Sequence, residues 1–205
     1  MSDRMKLYVT MTSPYARMVR VVLIEQGLQD RVDLIVAKTR AENSPYYQIN
    51  PSGRVPALVL ADGSVLEDSV LICDYLDHLD GAPIFTRPQG EQAWPFRMAE
   101  ARARSLLDGL AVLTREHYRP PNERSPTVIA HEVARAGRLF PIWEEHLHKP
   151  VLAGPLNYVQ MILVCAVEVA GRTSLLDPGS LCPVLAERVA QIAQRPSLQE
   201  TSPPT

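Results

Sequence analysis

The sequence predicts an α/β N-terminal domain followed by an all-α helical bundle, and three observations carry the prediction. Short apolar, β-branched runs alternate with helical patterns through about the first 80 residues. A stretch rich in proline and glycine, Gly81 to Pro88, then interrupts the chain. Beyond it the strand signals stop and only helical periodicity continues. The expected boundaries are 1–80 for the α/β domain, 81–90 for a linker and 91–205 for the helical domain.

Lys6-Leu7-Tyr8-Val9-Thr10 reads as a short strand. Pro14 opens a helix, because a proline in the first turn forfeits no intrahelical hydrogen bond. Ala16, Val19, Val22, Leu23 and Ile24 supply its apolar positions, and Gly27 stops it. Val32 to Val36 is short and β-branched, a second strand that completes a β-α-β unit. A polar stretch follows, through Asn50-Pro51-Ser52-Gly53. Pro56 to Leu60 and Ser64 to Leu66 flank Asp62-Gly63, a hairpin turn. Asp68-Ser69 caps a helix carrying Val70, Leu71, Cys73, Tyr75, Leu76 and Leu79. The order β-α-β-α-β-β-α is that of a thioredoxin-like domain.

In the second half, Glu91 to about Tyr118 is one long helical pattern, ended by Arg119-Pro120-Pro121. Ser125-Pro126 opens another, running to about His148, which Pro141 is expected to kink or split. Asn157 to Ala170 is apolar on nearly all sides, as a helix at the centre of a bundle must be. Leu181 to Gln194 is the last amphipathic helix, stopped at Arg195-Pro196, and the tail Ser202-Pro203-Pro204-Thr205 is expected to be disordered.

Composition narrows the function classes. With 205 residues, 46% hydrophobic and 21% charged, and a net charge of −2, the chain suits a globular protein and lacks the basic surplus of a nucleic-acid binder. No apolar run approaches the ~20 residues that span a bilayer. The N-terminal Met1-Ser2-Asp3-Arg4-Met5 has no apolar signal core, so the expected location is the cytoplasm. Cys73, Cys165 and Cys182 are far apart, form no C-x-x-C pair and sit in apolar stretches, which suits buried thiols in a reducing compartment. His78, His117, His131, His146 and His148 show no metal-ligand spacing, and no metal is expected.

Four segments bring a resemblance. Ser13-Pro14-Tyr15-Ala16-Arg17-Met18-Val19-Arg20 resembles the strand-to-helix turn of bacterial cytosolic glutathione transferases. Asn50-Pro51-Ser52-Gly53-Arg54-Val55-Pro56-Ala57-Leu58 resembles their N-P-x-G-x-V-P-x-L step. Glu67-Asp68-Ser69 with Ile72 and Tyr75-Leu76 resembles the start of their next helix, and Arg195-Pro196-Ser197-Leu198 their closing R-P-S segment. The four run in register over almost the whole chain.

The resemblance implies a protein that binds glutathione as thiolate, as a co-substrate, and conjugates it to a small hydrophobic electrophile. Ser13 at a helix N-terminus is the implied thiolate donor, with Thr10 and Thr12 as rival hydroxyls and a plain helix cap as the simpler role. Tyr8, within its strand, reads as half-buried core. A hydrogen bond to a charged group is worth roughly 1.5–3 kcal/mol, enough to lower a thiol pKa by ~1–2 units. Val55-Pro56 is the implied cis step, its backbone pairing with the cysteinyl unit, and Asp68 and Ser69 hold the γ-glutamyl end. Arg54, Lys38 and Arg40 are the bases available for the glycine carboxylate.

Tyr15, Arg115 and Tyr118 are the residues offered for the electrophile pocket. Asn157-Tyr158-Val159-Gln160 stands where the family carries a Ser/Thr-x-x-Asp capping box, with Gln160 able to reach back to the cap. The resemblance also implies a homodimer. Two other activities fit the family: a glutathione-dependent thiol reductase or lyase, against which Ser13 in place of cysteine argues, and a non-catalytic binding or regulatory protein.

Overall fold

Alternation along Met5-Lys6-Leu7-Tyr8-Val9 buries Met5, Leu7 and Val9 on one face of the first strand, β1 (Met5–Val9). The computed structural model describes residues 4–85 and 87–204, for Gln92 the main chain alone. The expectations for Met1-Ser2-Asp3 and for Thr205, and Thr86 of the linker, lie outside them. The chain divides into two compact units. One runs to Ile84 and takes in the segment from Pro196 onward; the other is Phe85–Arg195.

In the first unit β1 leads into α1 (Pro14–Glu25) and back to β2 (Val32–Val36), which pairs parallel to β1. β3 (Ala57–Val59) pairs antiparallel to β1, and β4 (Val65–Glu67) closes the hairpin on β3. The sheet order is β2-β1-β3-β4. α2 (Ser69–His78) packs on α1 and on β3 and β4, and Val19, Val22, Ile72 and Leu76 of the two helices are buried, as are Leu7, Val9 and Leu58 of the sheet.

The second helix of the expected order is not formed. Residues 37–49 hold a single 3-10 turn, Pro45–Gln48, capped by Ser44 Oγ accepting from the Tyr46 N–H at 3.3 Å. Pro45 and Pro51 fall too close together for an α-helix between them. Tyr46 anchors the turn, buried against Ala37 and Ala57 and stacked 5.4 Å from the half-buried Tyr8.

The second unit is helical: α3 (Ala93–His117), α4 (Pro126–Glu145), α5 (Pro150–Ala153), α6 (Tyr158–Gly171), α7 (Pro178–Leu181) and α8 (Pro183–Ile192). α3 packs on both α4 and α6, and α6 is buried along nearly its whole length. Asn157 caps α6 by accepting from the Gln160 N–H at 3.1 Å. Gln160 reaches past the cap to the end of α5, donating to the carbonyls of Val151 and Gly154 at 3.3 and 3.1 Å, and not to the Asn157 N–H. Pro141 does not split α4, which continues past it to Glu145 without the one bond a proline cannot donate, and its side chain is exposed. The entry to this unit is held by Arg87, paired with Glu100 at 2.8 and 3.0 Å and lying 4.2 Å over the Tyr158 ring. All three cysteines are buried.

Pro196, read from sequence as a stop, opens one more helix, α9 (Pro196–Glu200). It packs against α1, so the last residues belong with the first unit and not with the helical stretch 91–205. Among the described residues no helix is long and apolar enough to cross a membrane.

Candidate functional site

Strand register gathers the candidate residues of the first unit at one end of its sheet. Tyr8 of β1 pairs with Ala57 of β3, and Ala57 with Glu67 of β4. Three segments therefore emerge side by side: the turn after β1 that carries Ser13, the Val55-Pro56 step before β3, and Asp68-Ser69 after β4. Val36 pairs with Val9, so Lys38 and Arg40, both exposed, leave the sheet at that same end. Two helix N-termini, those of α1 and α2, start there, and their unpaired N–H groups favour negative charge.

Ser13 is the N-cap of α1, half-buried, its Oγ accepting from the Ala16 N–H at 3.2 Å. Its own N–H donates to the Thr10 carbonyl at 3.1 Å, which fixes the turn. Its Oγ–H remains a donor for an acceptor beyond the helix end. Thr10 is half-buried and Thr12 exposed on the same turn; Tyr15 is half-buried on the first turn of α1.

The Val55-Pro56 peptide is cis, and pairing of β3 begins only at Ala57, which leaves Val55 outside the ladder. The loop before it is rigidly built. Asn50, 3% exposed, accepts from the Ser52 N–H at 3.2 Å and donates to the Arg54 carbonyl at 3.0 Å. Tyr46 Oη donates to that same carbonyl, and burial pushes the phenol pKa up. Gly53 has φ +66°, and a Cβ there would stand 2.9 Å from the Tyr47 ring. The Arg54 side chain is exposed.

Asp68 has φ +80° and ψ 124°, a left-handed conformation rare for a residue with a side chain. Both of its capping bonds, from Val70 N–H at 2.8 Å and Leu71 N–H at 3.3 Å, fall on Oδ1. Capping therefore uses one carboxylate oxygen of this exposed side chain and makes no use of Oδ2. Ser69 beside it is buried at the first position of α2.

Arg115 and Tyr118 lie in the other unit, at the end of α3. Arg115 Nε donates to the Ala111 carbonyl at 3.1 Å, and Tyr118 Oη to the Arg172 carbonyl at 2.9 Å. Both side chains are exposed. Among the described residues no three His, Cys, Asp or Glu side chains converge as a metal site. A cavity of about 390 Å³ sits at the opposite end of β1, lined by Arg4, Met5, Asp30, Arg31 and Tyr75 among others, away from these candidate residues.

Asn50 stands in the sequence only as part of a motif and Tyr46 as part of a polar stretch, and neither is read there as a builder of the site; Arg17 and Arg20 of α1 are likewise given no role of their own. Both arginines are buried. The signal was present: two arginines inside the apolar run of α1.

A family model for the glutathione S-transferase N-terminal domain matches residues 12–79. The chain is 27% identical over 203 residues to the uncharacterized GST-like protein YibF of Escherichia coli K12, covering 98% of this chain and 99% of that one. Among solved structures it resembles a glutathione S-transferase from Methylobacillus flagellatus with GSH bound, at 29% identity and TM-score 0.84, over 98% of this chain and 100% of that one. A glutathione transferase family member from Pseudomonas fluorescens with bound glutathione matches equally, with 29% identity, TM-score 0.84 and the same coverage. Residues 12–79 therefore carry the pattern of a glutathione S-transferase N-terminal domain, and the thioredoxin-like sheet with its helical unit resembles proteins of that family over almost the whole chain.

Proposed function

We propose that the protein binds glutathione at this end of the sheet and conjugates it, through its sulfur, to a small hydrophobic electrophile. The observation that carries the reading is the common register of Tyr8, Ala57 and Glu67, which aligns a hydroxyl, an unpaired main-chain segment and a carboxylate with a helix N-terminus. Glutathione is a thiol flanked by a γ-glutamyl zwitterion and a glycine carboxylate, and each part meets a matching group. Val55 offers its main chain to the cysteinyl unit in β fashion. Asp68 Oδ2 takes the ammonium, while the Ser69 hydroxyl and the start of α2 take the α-carboxylate. Arg54, Lys38 and Arg40 are the bases for the glycine end.

Ser13 donates its Oγ–H to the sulfur, and with the α1 N-terminus it favours the thiolate. The thiol gives its proton to water; the sulfur lone pair then forms the new C–S bond, and the leaving group departs with its electrons. Catalysis consists of pKa depression and proximity. Tyr15, Arg115 and Tyr118 are proposed for the electrophile side, the last two on their family position alone.

Three buried thiols suit a reducing cytoplasm and leave none of Cys73, Cys165 or Cys182 at the surface for a mixed disulfide, which favours transfer over thiol reduction. Exposed Val65 and Leu71 on the first unit, and Trp94 and Met98 on α3, support the homodimer.

The test is Ser13→Ala. Glutathione affinity is expected to stay nearly constant, while the pKa of the bound thiol, read from its ultraviolet thiolate absorbance, rises by ~1–2 units. An unchanged pKa removes Ser13 from the mechanism and turns attention to Thr10 and Thr12.

A further inference from the structure

α1 starts at the site, and its first turn is fastened at a second place. The Arg17 N–H donates to the Ser13 carbonyl at 3.0 Å. The Arg17 side chain, only 2% exposed, runs to the end of the chain. Its Nη2 donates to the Leu198 carbonyl at 2.7 Å and its Nε to Thr201 Oγ1 at 3.3 Å. One turn on, Arg20 Nη1 donates to the Thr201 carbonyl at 3.3 Å, and Ser197 Oγ donates to the Glu25 carboxylate. Thr201 is wholly buried and its hydroxyl returns to the Ser197 carbonyl at 2.7 Å.

The chemistry makes this a rigid joint. The carbonyls at the end of a helix are its unmet acceptors and its negative pole, so they suit two guanidinium groups. Buried guanidinium donors need acceptors, and moving one off its partners leaves a desolvated charge. Burial and the nearby Arg17 charge hold Arg20 below the ordinary guanidinium value, with Glu200 acting in the opposite sense. The first turn of a helix is otherwise the part most prone to fray. Here it carries one side-chain capping bond, Ser13 Oγ from Ala16 N–H, and the Arg17 anchor.

We propose that Arg17 is a positioning residue for Ser13, and that the C-terminal segment Ser197–Thr201 belongs to the apparatus that aims the Ser13 hydroxyl at the bound sulfur. The proposal rests on the reading of Ser13 as thiolate donor. It gives the docking of the last helix on α1 a catalytic consequence, although that helix supplies no group to the substrate.

The discriminating variant is Thr201→Val, which keeps shape and burial but deletes the hydroxyl between Arg17 and Ser197. Glutathione binding is expected to stay within about twofold of wild type, the bound-thiol pKa to rise by about half to one unit, and kcat at neutral pH to fall about three- to tenfold with KM for glutathione nearly unchanged. Thr201→Ser, which restores the hydroxyl, should restore both readouts. Arg17→Lys, which keeps the charge but loses the fork, should shift them in the same direction as Thr201→Val. If Thr201→Val and Arg17→Lys lower only the melting temperature, with thiol titration and kcat as in wild type, the joint merely holds the fold and the proposal is overturned. A wild-type protein whose bound glutathione shows no thiolate absorbance sinks the Ser13 reading itself, and the proposal with it.

Discussion

Asp68 can be asked to separate its two jobs. Its φ of +80° is a conformation that costs a non-glycine residue roughly 1–3 kcal/mol. Its Oδ1 carries the cap of α2, worth about 1 kcal/mol when replaced by alanine and only a few tenths when replaced by glycine. Asp68→Gly removes the strain and loses the cap, and glycine adds ~0.5–1 kcal/mol of chain entropy to the unfolded state. The sum lies within about 1–2 kcal/mol of wild type, on the stabilising side.

At about 2–4 °C per kcal/mol for a chain of this size, the expected melting temperature is equal or slightly higher. Asp68→Asn keeps the cap and the tolerance of positive φ, so its stability should match wild type. Both variants abolish the anionic Oδ2. A charge-assisted contact of ~1.5–3 kcal/mol translates to about 10- to 150-fold in affinity, and the exposure of Asp68 points to the lower end. Titration calorimetry with glutathione, beside thermal unfolding, reads both quantities. Asp68→Asn binding within about twofold of wild type would refute the ammonium contact. A fall of several degrees in Asp68→Gly would refute the strain argument.

The loop before Val55 and the region around His146 yield two further tests. Asn50→Ala deletes two part-buried hydrogen bonds and should cost about 1–3 kcal/mol of stability, while weakening glutathione binding through the loss of loop order; thermal unfolding and the Kd check it, and a stable variant with normal affinity would show the loop holds itself. His146 titrates below its ordinary 6.5, chiefly by burial and then by the charges of Lys149, Arg102 and His148, with Glu145 opposing. The neutral ring is therefore the form the fold prefers, the unfolded chain binds the proton more readily as pH falls through about 6.5, and stability declines there. His146→Gln should flatten the drop in urea midpoint between about pH 7.5 and 5.5 relative to wild type, and an unchanged slope removes His146 as its source.

What could be read in the residues was what acts over a few positions. Ser13-Pro14, the Asp62-Gly63 turn and Asp68-Ser69 are local devices, and each stands at the boundary that its chemistry demands. The polar stretch from 37 to 49 misled for an equally local reason: its place in the order called for a helix, but Pro45 and Ser44 favour one tight turn. Pro196 was ambiguous, since proline stops one helix and starts the next with equal ease. The partners of Arg17 and Arg20 lie more than 180 positions away, at Leu198 and Thr201, beyond any windowed pattern. Two arginines in an apolar helix announce that acceptors must exist, but not where. The positive φ of Asp68 was likewise hidden, because it follows from the exit of β4 and not from the residue type alone.

The placement of α9 in the same unit as α1 and the sheet has a further consequence for biosynthesis. The helical stretch Phe85–Arg195 is in effect an insert in the sheet unit. A ribosome working at about 5–20 residues per second delivers the completing helix on the order of ten seconds after the sheet has emerged. Through that interval α1 carries two arginines whose native acceptors have not yet been made. The strands and α1 thus emerge well before the helix whose carbonyls satisfy Arg17 and Arg20, and until then both guanidinium groups must find their acceptors in water.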